Sequence, residues 1–167
     1  REALSLLKAE GLVVSVLNKG YRVFTMNQDE LIEFCELRFT LESQALRYGI
    51  ERDEKGLTKA LKGIVEEMKK YQNEKHREDY LSLDTMFHKA FFKACNNSFL
   101  DRHYQSINSM IETMRHYISI SNEATDKSLD NHLAITDLII QGKIDQAIES
   151  LEEHIVSWSR RSIIDLS

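Results

Sequence analysis

The 167-residue chain contains no proline, two cysteines and six scattered glycines. Without proline, nothing in the chain obliges a helix to break from within. The thin, scattered glycine supplies no Gly-rich phosphate loop and no GxSxG turn, and no HExxH is present. Cys35 and Cys95 are far apart and form no CxxC, so a disulfide framework is not expected and a reducing, cytoplasmic setting is. No apolar run approaches the roughly 20 residues needed to span a bilayer, so no membrane partner is expected. Repeats and low-complexity segments are also absent. The formal net charge of −5 argues against the whole chain being a polyanion binder.

The charge is uneven. Residues 1–26 carry Arg1, Lys8, Lys19 and Arg22 against Glu2 and Glu10, for a local +2; the remainder carries −7. That sign suits a nucleic-acid-facing N-terminus on an acidic body. The opening "REALSLLKAEGLV" reads as a helix already under way, with Leu4, Leu7 and Leu12 as its spine and Gly11 as its stop. It is charged and amphipathic, so no signal peptide is expected. No capping residue precedes Arg1, and the chain is therefore expected to begin inside a longer protein. "LVVSVLNKGYRVFTM" is β-branched and aromatic on both sides of Asn18, Lys19 and Gly20, a hairpin signal. A short helix followed by a hairpin with a basic tip is the second half of a winged helix.

From Asn27 onward the periodicity is helical almost throughout. Six helices are expected, at about 28–50, 54–74, 77–95, 98–120, 126–141 and 143–164. Asn27 is the N-cap of the first, and Gly142 closes a tight joint before the last. "ERDEKG", "NEKHRED", "CNNS" and "SNEATDKS" read as polar connections. Helices joined by short polar loops make an antiparallel bundle, so the fold class is all-α, preceded by the winged-helix remnant. The division is 1–26 for the remnant and 27–167 for the bundle.

One stretch of the bundle is at odds with its surroundings. In "LSLDTMFHKAFFKACNN", Asp84 and His88 share a stripe with Leu81, Phe91, Phe92 and Cys95. An acid on an apolar stripe is costly unless something pairs with it. His132 falls on a stripe with Leu129, Leu133, Thr136 and Ile139, and His154 on one with Ala147, Leu151, Ile155 and Trp158. His76 belongs in solvent, and His103 and His116 have ambiguous settings. Any single inward histidine is ordinarily a core residue with a hydrogen bond. Three on different helices, with an acid one turn before one of them, point to a metal site built from facing side chains. Imidazole and carboxylate donors suit a divalent metal ion: zinc and nickel foremost, with manganese, iron and cobalt also admissible. Cys95 is a further donor on the stripe, though a small buried hydrophobe is the simpler role. Arg38 lies in line with Leu31, Phe34, Cys35, Leu41 and Ala45. It either pairs with Glu42 on its own helix or aims its guanidinium into the bundle at a carboxylate.

These residues resemble the GntR family of bacterial transcription regulators, FadR-like subfamily. "REALSLLKAEGLV…NKGYRV" looks like the end of that family's recognition helix and its wing. "ELRFTLESQALRYG" is similar to its first effector-domain helix, with Arg38, Leu41 and Glu42 in the Arg-x-x-Leu-Glu pattern. "DTMFH", His132 and the final Ala147, Leu151, His154, Ile155 match the metal-binding version of the FCD effector domain. The resemblance covers essentially the whole chain. It implies that Asp84, His88, His132 and His154 hold a metal at the floor of a cavity. It further implies a small carboxylate effector above the metal, with Arg38 as a contact, and a homodimer on a palindromic operator. Arg1 and Lys19 are the candidate DNA contacts. The first part of the winged helix is missing from the pattern, so this chain by itself is expected to bind operator DNA poorly. An enzyme is not expected. The rival readings are a helical-bundle metalloenzyme acting on a small organic acid, and a purely structural bundle with satisfied core histidines.

Overall fold

A computed structural model describes residues 2–16, 20–71, 76–118 and 122–161, without the side chains of 116–118, 122–124 and 157–161. Arg1, Asn18 and Lys19 lie outside the described residues, as do 72–75, 119–121 and 162–167.

Helix α1 spans Glu2–Ala9. Gly11, at φ +75°, ends it. Its amide bonds the Lys8 carbonyl at 3.1 Å while the Leu12 amide reaches back to Leu7 at 2.9 Å, the paired closure that a left-handed glycine permits. Strands β1 (Val13–Val16) and β2 (Gly20–Val23) follow. They form an antiparallel two-stranded ribbon with Val13 opposite Val23 and Val16 opposite Gly20. The helix and hairpin read from the sequence are therefore both present. This part touches the body through α1's end: Ser109 donates to the Glu10 carboxylate at 3.1 Å.

Helix α2 spans Gln28–Met68. Asn27 begins it as expected, its Oδ1 accepting from the Glu30 amide at 2.9 Å while Glu30 accepts from the Asn27 amide at 2.8 Å, a reciprocal capping box. The sequence reading placed two helices here, separated by "ERDEKG". The structure breaks the helix between those spans at a single non-helical residue, Asp53, at φ −151° and ψ 57°, so the two halves form one kinked element. The Asp53 carboxylate accepts from the Gly56 amide at 3.0 Å and so caps the second half. One capped residue replaces the loop, and the helix kinks rather than ends. A 3-10 turn, Lys69–Tyr71, follows.

Helix α3 (Arg77–Cys95) closes on Asn96 in the left-handed region. Asn97 then caps α4 (Ser98–Ile118), its Oδ1 accepting from the Phe99 and Leu100 amides at 3.1 Å each. Helix α5 covers Asn122–Ile140, beginning four residues before the expected start, and α6 covers Ile144–Arg161. The joint between them repeats the glycine closure: Gly142 bonds Ile139 and Lys143 bonds Leu138.

The bundle is organised around α2, which packs along α3, α6, α5 and α4. At Gly49 α2 lies tight against α3. A Cβ there would lie 3.1 Å from the Ala94 Cβ and 3.2 Å from the Phe91 carbonyl, so the absence of a side chain lets the helices meet. Leu46, Leu57, Leu61, Phe87, Phe91, Ile135, Leu151 and Ile155 fill the interior at 1% exposure or less. Each such side chain contributes roughly 1.5–3 kcal/mol by leaving water. Among the described residues no helix is long and apolar enough to cross a membrane.

Candidate metal centre

Helix α3 delivers two polar side chains to this apolar interior. Asp84 and His88 are one turn apart and face the same way because four residues advance a helix by slightly more than one turn. Helix α5 brings His132 opposite them, and α6 brings His154. All four are buried. One donor atom from each lies within 4.8 Å of the other three. His132 Nε2 is 3.4 Å from both His88 Nε2 and Asp84 Oδ1. The His88 and His154 rings stack at 5.3 Å, and those of His132 and His154 lie 4.6 Å apart. The four sequence-selected residues thus converge from three helices.

Three further charged groups surround the cluster. Glu42 bridges α2 to α3, with Oε2 2.6 Å from His88 Nδ1 and Oε1 accepting from Arg38 Nε at 2.7 Å. A carboxylate at Nδ1 keeps the proton there and leaves the lone pair on Nε2, facing the centre. Arg38 Nη2 lies 3.2 Å from that same Nε2. The pairing of Arg38 with Glu42 is therefore as one sequence reading had it, and the same guanidinium also approaches His88. On the far side, Arg115 of α4 pairs through Nε with Asp84 Oδ2 at 2.6 Å and donates through Nη1 to Thr85 at 2.9 Å. Ser128 donates to Asp84 Oδ1 at 3.3 Å, and Asn131 lies 3.3 Å from His154 Nδ1.

Sequence reasoning missed Arg115, although the signal used for Arg38 was available. Tyr104, Ile111 and Arg115 fall on one stripe of α4, so a cation interrupts an otherwise buried face. Glu42 was read as a partner of Arg38 and as part of the Arg-x-x-Leu-Glu pattern; its bond to His88 crosses between helices and leaves no mark in spacing.

The electrostatics follow from burial. Desolvation would raise the Asp84 carboxyl, but Arg115 foremost, with His132, His88 and Arg38, holds it down at about 2. Burial pushes His132 down to about 4 against the pull of Asp84. Burial, reinforced by nearby positive charge, drives His88 and His154 well below the usual histidine range. Near neutral pH the centre presents one carboxylate and three neutral imidazoles, the protonation state a metal requires of its ligands.

The donor set fits a divalent cation on geometry too. Ligand atoms around a tetrahedral zinc stand roughly 3.3 Å apart, given metal–ligand distances of about 2.0–2.1 Å. The two 3.4 Å separations at His132 match that spacing. In addition, His88 and His132 aim Nε2 at each other. His88 Nε2, with its ring protonated at Nδ1, can accept from His132 Nε2 across that gap, and a divalent cation placed there would use both lone pairs instead. His132 Nδ1, for its part, is buried without a hydrogen-bond partner among the described residues.

The remaining candidates lie apart from the centre. His76 is exposed beside Asp79, His103 is exposed, and the His116 side chain is outside the described residues. Cys95 and Cys35 are free, buried thiols; neither belongs to the four-residue cluster. Arg1 and Lys19, the candidate DNA contacts, are also outside the described residues.

Comparison with known proteins agrees with this architecture. The chain is 27% identical over 173 residues to the HTH-type transcriptional regulator BphR of Paraburkholderia xenovorans, covering 94% of this chain and 66% of BphR. It thus spans slightly less than two thirds of that protein. It is 28% identical over 155 residues to the Nta operon transcriptional regulator of Aminobacter aminovorans, covering 93% of this chain and 72% of the relative. Both relatives are named as transcriptional regulators. Among solved structures, the metal-free FCD domain of TM0439 superposes with a TM-score of 0.71 at 24% identity, over 82% of this chain and 94% of that one. Residues 33–157 match the family described as the FCD domain. The chain belongs to that family, the effector-domain family that its resemblance to GntR regulators implied.

Proposed function

We propose that the bundle is the effector-sensing part of a ligand-responsive transcription regulator. In this reading Asp84, His88, His132 and His154 hold one divalent metal ion, zinc or nickel foremost. Residues 27–167 form the sensing domain, and residues 1–26 belong to a winged helix whose DNA contacts include Arg1 and Lys19. The regulator acts in the cytoplasm as a homodimer on operator DNA, and a small carboxylate is the signal. When bound, the metal supplies a Lewis-acid anchor for that carboxylate.

The observation that carries the reading is the convergence of four buried donors from three helices, with His88 oriented by Glu42. The chain's own groups perform the rest. Glu42 fixes the His88 tautomer. Arg115 keeps Asp84 ionised although it is buried. Arg38 holds a guanidinium beside His88, where a carboxylate oxygen arriving at the metal would meet it. The α3–α4 cleft, about 440 Å³ and lined by Ser82, Thr85, Lys89 and Arg115 among others, opens at the surface beside Arg115.

The test is elemental analysis of protein purified without a metal-affinity column. Near-stoichiometric metal in wild type, falling at least about tenfold in a His132→Ala/His154→Ala double variant, is the expected result. Equal, sub-stoichiometric metal in both proteins would sink the metal site.

A further inference from the structure

Helix α4 makes contacts on two sides. Tyr104, Ile111 and Arg115 are buried in the bundle. The Tyr104 ring stacks on Phe92 at 4.1 Å, its hydroxyl and Arg115 hydrogen-bond each other, and Arg115 pairs with Asp84. Ser109 falls on the opposite side at helical spacing. There it donates to the Glu10 carboxylate at 3.1 Å. Met110 serves both sides. Its side chain is packed against the core, and its Sδ sits over Gly11, where a Cβ would come within 2.9 Å of it.

The glycine is needed there twice over. Gly11 holds φ +75° to close α1, and its missing side chain leaves room for Met110. Neither outer contact is strong, since the hydrogen bond is exposed and the apolar contact is made by one flexible thioether. So slight a seat responds to small movements of the helix that carries it. The inner anchors of α4 named above all lie on α3: Arg115 grips Asp84 and Thr85, and Tyr104 rests on Phe92. Ser109 and Arg115 are separated by a rise of about 9 Å along one regular helix. Over that distance a helix moves as a unit, so a shift of Arg115 against Asp84 carries Ser109 and Met110 with it.

We propose that Ser109 and Met110 form the seat on which α1 rides, and that α4 couples this seat to the Arg115–Asp84 pair. A change in the grip of Arg115 on Asp84 alters how Glu10 and Gly11 sit, and by linkage a disturbed seat is felt at the pair. The regulator reading above gives the coupling its use, because residues 1–26 are there the DNA-facing part. The coupling itself rests on the contacts of α4 and needs no metal.

Hydrogen–deuterium exchange of the whole chain tests this, followed in peptides covering residues 2–16 and, as a reference within α6, residues 144–156. Ser109→Ala/Met110→Ala is expected to speed exchange in 2–16 at least about threefold and to leave 144–156 unchanged. Tyr104→Phe removes one hydroxyl beside Arg115, far from α1, and is expected to speed exchange in 2–16 about twofold or more. Added to the Ser109→Ala/Met110→Ala background, it is expected to do nothing further there, because the route is already cut. Arg115→Lys, which keeps the charge but loses the fork, is the second inner variant and is expected to act as Tyr104→Phe does. Unchanged exchange in 2–16 after the outer substitutions would remove the seat. Unchanged exchange after both inner variants, an equal inner effect with the seat already broken, or a matching rise in 144–156 would remove the coupling. All arms are run in chelator, so the coupling stands or falls independently of the metal reading.

Discussion

Helices α1 and α3 are both amphipathic in sequence, yet one buries nothing and the other buries charge. In α1, Leu4, Leu6 and Leu7 are 37%, 67% and 38% exposed, and just past its end Glu10 and Gly11 meet the bundle. In α3, Asp84 and His88 are fully enclosed with Phe87 and Phe91. Apolar character does not by itself put a residue inside, nor does polarity keep it out. Neighbours decide: α3 lies against α2 and α4, which supply Glu42, Arg38 and Arg115 as partners. A buried acid is tolerable there because it is paired, whereas the leucines on α1 are only partly covered by the described residues.

Breaking the pairing in α3 should have the largest effect. Arg115→Met leaves Asp84 buried against an uncharged neighbour and should destabilise the metal-free protein by about 3–5 kcal/mol, read from urea unfolding. A cost under about 1 kcal/mol would show that water reaches Asp84 and that the contrast with α1 is overstated. Zinc should restore part of the loss, because the cation takes over the charge of Asp84.

Chelation sharpens the same contrast at intermediate size. Zinc at about 100 times its dissociation constant should stabilise the native state by about 2.7 kcal/mol, and chelator should remove that increment from the melting curve. The chelated protein should also lose stability as pH falls from about 6.5 toward 4. His132 titrates near 4 when folded and near its ordinary 6.5 when unfolded, so in that window the unfolded chain binds the extra proton. Stability then rises with pH across the window. A melting temperature flat between pH 4 and 6.5 would refute the neutral, buried histidine.

The smallest effects separate the two regions at their surfaces. Asn27→Ala removes the capping box of α2 and should cost about 1 kcal/mol. Leu6→Ala on α1 should change stability by less than about 0.5 kcal/mol. Equal costs for the two would mean that α1 is packed more firmly than its exposure indicates.

Much of this organisation was legible in advance, for local reasons. The stops at Gly11 and Gly142, the cap at Asn27 and the α3 boundaries follow from backbone chemistry within a few residues. So does the placement of Asp84 and His88 on one face. The kinked α2 was read as two helices because "ERDEKG" carries turn composition. Whether such a stretch becomes a loop or a single capped break depends on whether both halves can stay packed on the same neighbour. The inward histidines of α5 and α6 were also readable, since each sits on an apolar stripe.

What the sequence by itself determined was an all-helical bundle after a helix and hairpin, with Asp84, His88, His132 and His154 on inward faces, because periodicity is a property of one helix at a time. Only the tertiary structure decided that Glu42 orients His88, that Arg115 answers Asp84, and that four donors from three helices fall within 4.8 Å of one another. Those relations depend on how helices cross and at what height they meet. Side-chain volumes at contacts such as Gly49 against Ala94 set that geometry, and no spacing along the chain records it.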